Sequence, residues 1–508
     1  MPEFVENIVS LAASQNYEGM IDFYNKNIPE STDLIFAVYR LLGEGNDQAA
    51  YLLSRPLTQA QFRHPVISFV RSLGGFLYGN AEDEKQGLVA LAQEIDLLTP
   101  PQREQIYQHI VHPAISRIIT RDSSFASDSQ KALRILEILK AGFPQFRSIF
   151  DWSDNGLTYD AVEQTKLGRQ RSRLIQFALP ETPRKNLRAI VAVRKLVFPQ
   201  LPNSRLHEVG PRVTTAMNNY GWRATHLEMQ MQNYFQDYSD IVSMCEQEKA
   251  DILVLDDLYI TSLQSLPARA AMIARLRQTL PNLKIAALHL DPWDIATEVL
   301  IETSRTVDAV WAQYPSMPVW EHPALSNKIT FVPCPHAGQS GVPVTPLSPR
   351  MAFVGGIFGY NWHRIFWLAG REYNLPIDFI RSMHQSDGLS VVDSYILFMK
   401  RTEKVGVSLN FSMRPNLARI VTGRSFETIL AGALLVQEET PDLDYYFVSG
   451  EHYLSFTTVP ELRAIGKFLT EKPADAEAIR REGNAFARAR YSDEKLIGYL
   501  EYDLLHRH

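Results

Sequence analysis

Thr422-Gly423-Arg424-Ser425-Phe426-Glu427-Thr428-Ile429-Leu430-Ala431-Gly432-Ala433-Leu434-Leu435-Val436 reads as a loop, a short helix, a glycine stop and a buried strand. Gly423 and Arg424 open the helix, where unpaired backbone N–H groups favour a phosphate. One turn on, Glu427 offers two acceptor oxygens, the partner a ribose diol needs. That arrangement suits a sugar nucleotide. The same residues also fit an Arg424–Glu427 salt bridge on an ordinary helix of an α/β domain.

The rhythm of strand and helix continues on both sides. Met351–Val354, Ile377–Ile380, Val405–Leu409 and Tyr453–Phe456 are predicted strands. Helices are expected near 363–372, 391–400, 459–470, 473–490 and 493–505. Upstream, the apolar runs Arg188–Val193, Arg223–Leu227, Asp251–Leu255, Lys284–Leu288, Asp308–Ala312 and Ile329–Val332 are predicted strands. Helices near 206–220, 241–249 and 267–280 alternate with them. Such alternation predicts two doubly wound parallel sheets in tandem, with a ligand cleft between their strand C-termini.

Before Asp151 the pattern is helical throughout, with amphipathic pieces at 6–13, 17–24, 32–42, 47–53, 81–97, 101–119 and 127–141. No repeat period stands out. The expected organisation is an α-helical accessory domain over 1–150 and a connecting segment over 151–185. A first Rossmann-like domain is expected over 186–337, a second over 346–495, and a C-terminal helix over 493–508. The helical part reads either as a docking domain for an acceptor or protein partner or as a structural cap.

With 508 residues, 45% of them hydrophobic, the chain has room for about three domains with real cores. A net charge of −6 supplies no electrostatic case for nucleic acid. Two cysteines, Cys245 and Cys334, make no disulfide framework, and the expected compartment is the cytoplasm. The N-terminal residues lack the order of a signal peptide, and no apolar run is long enough for a transmembrane segment.

Further candidates sit at predicted strand ends. Gly355-Gly356-Ile357-Phe358-Gly359 follows a strand, so its N–H groups could approach a pyrophosphate, with Arg364 nearby; a ligand-free tight turn fits as well. It is not a full dinucleotide fingerprint and no Walker lysine follows. His289 and Asp291, at the end of the strand Lys284–Leu288, are candidates for a base and its partner facing an acceptor; a core histidine beside a proline turn is the alternative. Asp256-Asp257 is a weaker pair of the same kind. Glu451 and Lys404 are further candidate donor contacts, with surface positions as the alternative. No spacing supports a metal site, and no cofactor is expected beyond a donor substrate.

The order Phe353-Val354-Gly355-Gly356, Arg364, Lys404 to Asn410, Arg424-Ser425-Phe426-Glu427, Ala431-Gly432 and Gly450-Glu451-His452 resembles CgeB-like glycosyltransferases. These belong to the GT-B group related to family-4 enzymes, and the resemblance covers roughly residues 285–500. It implies a GT-B fold of two Rossmann-like domains, with a nucleoside-diphosphate sugar held by the second and an unidentified acceptor by the first. It also implies that Glu427 holds the donor ribose, that Gly355 and Gly356 face the diphosphate, and that Arg364, Lys404 and Arg424 offer charge to it. Retaining relatives carry a glutamate where this chain has Arg419, which leaves the stereochemical course open. A non-catalytic GT-B-like scaffold and a nucleotide-sugar epimerase are the alternative readings.

Overall fold

The computed structural model describes residues 2–27, 31–55, 64–121, 129–151, 156–160, 162, 174–194, 209–230, 233–257, 261–290, 295–336, 340–354, 370, 375, 377–380, 390–412 and 419–506. Two parallel sheets form its centre. The first contains β1 (Arg188–Arg194), β2 (Arg223–Met229), β3 (Ile252–Asp256), β4 (Lys284–His289), β5 (Ala309–Ala312) and β6 (Ile329–Phe331). The second contains β7 (Met351–Val354), β8 (Ile377–Ile380), β9 (Val407–Asn410), β10 (Leu434–Glu438) and β11 (Leu454–Phe456).

The first sheet runs in the order β2-β1-β3-β4-β5-β6 and the second in the order β11-β10-β9-β7-β8. Every pairing within them is parallel. Each sheet thus reverses direction beside its first strand, between β1 and β3 and between β7 and β9. Ligands of such folds sit in the crevice at that reversal, outside the strand C-termini. Strands β3, β5, β9 and β10 are buried along their whole length, which explains their near-continuous apolar runs.

Two differences from its expected outline bear on how the helical N-terminal region packs. Helix Pro65–Leu77, which the expected helices did not include, is buried at every position from Pro65 to Gly75. It crosses helix Ala81–Ile95 so closely that a Cβ on Gly75 would lie 2.4 Å from the Glu84 nitrogen, and one on Gly87 would lie 2.5 Å from Ser72.

The second difference is a repeat. Three helical hairpins, Pro2–Ala13 with Tyr17–Asn27, Ser31–Gly43 with Asp47–Ser54, and Pro65–Leu77 with Ala81–Ile95, share one turn. Each passes through a positive φ, at Gln15 (57°), Gly45 (81°) and Gly79 (75°). The next residue, an asparagine each time, donates its N–H to a carbonyl five residues back: Asn16 to Leu11, Asn46 to Leu41 and Asn80 to Gly75.

This helical region shares a hydrophobic core with the second sheet. Tyr159 meets Phe468 at 4.6 Å between ring centroids, and Lys472 pairs with Asp160 at 2.6 Å. The last helix, Asp493–Leu505, instead packs on helix Val209–Tyr220 and on β4 and β5 of the first sheet. The chain therefore crosses between the two Rossmann-like domains twice, once after β6 and once at Tyr491–Asp493.

Candidate functional site

Helix Gly423–Ala431 leaves Thr422 in extended backbone and stops at Gly432, whose φ of 91° suits glycine. A Cβ there would also lie 2.8 Å from the Val342 carbonyl carbon, so packing as well as conformation selects glycine. Phe426, fully buried, anchors the helix in an aromatic cluster with Tyr446 at 4.9 Å, Phe447 at 5.6 Å and Tyr491 at 5.8 Å. Contacts of this kind are each worth about 0.5–1.5 kcal/mol beyond area burial. Asn484 Nδ2 donates to the carbonyls of Ile429 (2.8 Å) and Gly341 (3.1 Å), tying the helix end to the interdomain linker. The backbone under Glu427 is therefore held on several sides.

The side chains of the motif do not pair with each other. Arg424 turns into its own domain, with its guanidinium 5.5 Å from the Phe353 ring and 6.0 Å from the Phe398 ring. Phe353 belongs to β7, so Arg424 stands beside that strand. Glu427, 8% exposed, accepts instead from Arg212 of the first domain, Nη1 to Oε1 at 3.2 Å. The alternative of an Arg424–Glu427 salt bridge is thereby set aside. Nothing in sequence spacing could have found Arg212, which lies in helix Val209–Tyr220 after β1.

Arg212 is itself fixed. Its Nε donates to the Pro335 carbonyl at 2.8 Å, its Nη2 meets His336 Nδ1 at 3.4 Å, and its guanidinium lies 4.2 Å from the Tyr395 ring centroid. His336 is buried, and burial with the neighbouring arginine holds its imidazole well below the usual range. Arg212 can only donate and Tyr395 Oη stands 3.0 Å from the same Nδ1, so Nδ1 is the acceptor and the ring proton sits on Nε2. Helix Val209–Tyr220 and helix Gly423–Ala431 both begin at strand C-termini, so the pair joins the ligand-bearing edges of the two sheets.

At the C-terminal ends of β9 and β10 the side chains form a buried polar network. Asn410 Nδ2 donates to Thr422 Oγ1 (2.9 Å) and to Gln437 Oε1 (2.8 Å), and Ser425 Oγ donates to the same Gln437 oxygen at 2.9 Å. The Ser412 N–H donates to Glu438 Oε2 at 2.9 Å. Asn410, Ser425 and Gln437 were not singled out from the sequence as site residues, because polar residues inside an apolar run look like tolerated exceptions. Domain contact continues at Asp442, whose Oδ1 accepts from the Ser316 N–H at 2.8 Å.

Other expected positions fall elsewhere. His289, 1% exposed, points into its own domain, with Nε2 3.2 Å from Ser304 Oγ and its ring stacked 6.1 Å from Trp320. Burial lowers its imidazole to about 4. These are the contacts of a core histidine, the alternative reading of this position. Asp257 is closed by Arg269, Nε to Oδ2 at 2.6 Å, with both side chains almost wholly buried.

Lys404 is exposed in the last turn of helix Val391–Val405, which enters β9 from its N-terminal end, the edge away from the crevice. Glu451 follows Gly450 (φ 77°) and precedes β11, again at the strand-start edge. Neither reaches the crevice, because residues ahead of a parallel strand lie at the opposite edge from those after it. Asp291, Gly355, Gly356 and Arg364 lie outside the described residues. Arg419 is half-buried, and its carbonyl accepts from Thr440 Oγ1 at 3.2 Å. Among the described residues no group of three or more His, Cys, Asp or Glu could hold a metal ion, and no helix is long and apolar enough to cross a membrane.

Residues 355–500 match the family described as glycosyl transferase-like. The chain carries a glycosyl transferase-like domain over these residues. The match bears out the glycosyltransferase resemblance for the second Rossmann-like domain, and the paired sheets bear out the GT-B fold; the CgeB-like subgroup is finer than the match reaches. No curated protein matches the sequence.

Among solved structures, Anabaena HepE in complex with UDP-glucose is similar at 10% identity and a TM-score of 0.42, over 63% of this chain and 100% of that one. Sucrose-phosphate synthase from Thermosynechococcus elongatus is similar at 12% identity and a TM-score of 0.43, over 63% of this chain and 99% of that one. A glycosyltransferase from Rickettsia africae is similar at 11% identity and a TM-score of 0.42, over 64% of this chain and 100% of that one.

Proposed function

We propose that the chain moves a sugar from a nucleoside-diphosphate sugar to an acceptor hydroxyl, with the donor nucleotide in the crevice of the second domain. The observation that carries this reading is Glu427: a carboxylate one turn into a helix at the strand-end edge, inside the glycosyl transferase-like region, with one oxygen held by Arg212. Among the described residues its second oxygen, Oε2, makes no hydrogen bond, which suits a ribose hydroxyl donor.

In this reading the departing diphosphate is stabilised by protein groups rather than by a cofactor. The N-terminal N–H groups of helix Gly423–Ala431 and the cation of Arg424, which lies against Phe353 of β7, would offer positive charge to it. The first domain faces the acceptor, and closure of the two domains excludes water that would hydrolyse the donor. His289 takes no part as a base. The helical region serves a protein partner or acceptor, and the compartment is the cytoplasm.

The test is incubation of the purified chain with UDP-, GDP-, ADP-, CDP- and dTDP-sugars while nucleoside diphosphate release is followed. Slow release from one donor class, accelerated by a suitable acceptor, is expected. Epimerisation of a free nucleotide sugar without release would instead favour an epimerase, and no turnover of any donor by folded protein would favour a scaffold.

A further inference from the structure

The Arg212–Glu427 contact is more than a weld between domains. Arg212 has no freedom to choose another orientation: its guanidinium donates to Pro335, faces His336 Nδ1 and lies on Tyr395. A planar fork held at three points presents its remaining nitrogen in one direction, and that nitrogen meets Oε1 of Glu427. With Oε1 engaged, the carboxylate plane is set and Oε2 has one orientation.

We propose that Arg212 is a positioning residue for the donor: it holds Oε1 of Glu427 so that Oε2 receives a ribose hydroxyl, which makes the ribose site complete only when both domains contribute. This rests on the donor reading above. The hydroxyl assigned to Oε2 is the 2′-OH, so the chemical consequence is selectivity for ribonucleotides over 2′-deoxyribonucleotides, which keep only the 3′-OH. It also couples donor binding to domain closure, since the cation belongs to one domain and the carboxylate to the other. A merely structural ion pair would behave differently. Its loss would weaken all nucleotides alike, through a looser cleft, and leave their ratio unchanged.

The experiment compares nucleoside diphosphates with their 2′-deoxy counterparts (UDP with dUDP, GDP with dGDP) by calorimetric titration of the wild-type chain, Arg212→Gln, Glu427→Gln and the double variant. The wild type is expected to prefer the ribonucleotide. Arg212→Gln should lose about ten- to hundredfold in ribonucleotide affinity, the range for a hydrogen bond to a charged group. It should lose little for the deoxynucleotide, so the preference collapses. The double variant should be no worse than the weaker single one.

An unchanged ribo/deoxy ratio in folded Arg212→Gln overturns the proposal while leaving the donor reading intact. So does tighter ribonucleotide binding, the sign of an arginine that the ligand must displace. Failure of the wild type to bind any nucleoside diphosphate overturns both. Should Arg212→Gln not fold, Arg212→Lys carries the same comparison. It keeps the charge beside Glu427 but lacks the fork, so the ratio should fall several-fold, and an unchanged ratio overturns the proposal.

Discussion

The two Rossmann-like sheets share a strand order but treat the acids at their strand-end edges in opposite ways. In the first domain Asp257, just after β3, is closed off by Arg269 of the same domain, at 2.6 Å and with side-chain exposures of 1% and 0%. Arg269 adds a hydrogen bond to Thr306 Oγ1 at 2.6 Å, which ties the pair into its own domain. In the second domain Glu427 depends on an arginine from the other domain, at 3.2 Å, and keeps one oxygen unbonded among the described residues. One acid is part of its own domain's architecture, and the other is shared across a cleft. Equal topology does not imply equal function; what each strand end carries decides it.

This contrast predicts effects of different size and kind. The largest is structural. Arg269→Ala leaves Asp257 buried without its cation and should cost about 3–5 kcal/mol of stability, read from denaturant midpoints. Nucleoside diphosphate affinity of the remaining folded protein should hold. A stable Arg269→Ala chain with lost affinity would erase the distinction between the two acids.

Next comes the acid limb of stability. His289 is lowered to about 4 in the folded chain, against an ordinary 6.5, by burial. Below 6.5 the unfolded chain takes up a proton that the folded chain refuses until near 4, so this contribution is complete above pH 6.5 and is lost as pH falls toward 4. It amounts to at most about 3 kcal/mol. His289→Gln should flatten the wild-type stability loss across that window, while leaving the pH profile of turnover unchanged. A turnover profile altered by the substitution would return His289 to the reaction.

Smaller again is Glu427→Ala, expected to weaken nucleoside diphosphate binding by about 1–3 kcal/mol in calorimetry. Lys404→Ala, on the strand-start edge, should change neither stability nor affinity by more than about 0.5 kcal/mol in the same assays.

The sheets were legible because buried parallel strands write uninterrupted apolar runs, as at Ile252–Asp256 and Leu434–Glu438. The glycine stop at Gly432 was legible for a conformational reason, its positive φ. Helix Pro65–Leu77 was passed over although its residues carry a helical apolar periodicity; its Gly74-Gly75 pair reads as a break. The hairpin repeat escaped because Asn16, Asn46 and Asn80 recur at unequal spacing and only the turn geometry is shared.

At the site, Glu427 and Arg424 were found in the sequence, but their partners were not. A salt bridge between them was the alternative to a ligand site, whereas Arg424 packs against Phe353 and Phe398 and Glu427 meets Arg212. A contact between residues so distant in the chain leaves no local trace. Lys404 and Glu451 were misplaced for a different reason: both flank the starts of strands, and in a parallel sheet only the ends face the crevice.

The most direct measurement of the central claim is calorimetric titration of the intact chain with UDP, GDP, ADP, CDP and dTDP. Saturable binding of at least one diphosphate at a single site, weakened by about 1–3 kcal/mol in Glu427→Ala, is the result expected. Absence of binding by all five to folded protein, or equal affinity in the folded Glu427→Ala chain, would contradict a donor nucleotide held at Glu427.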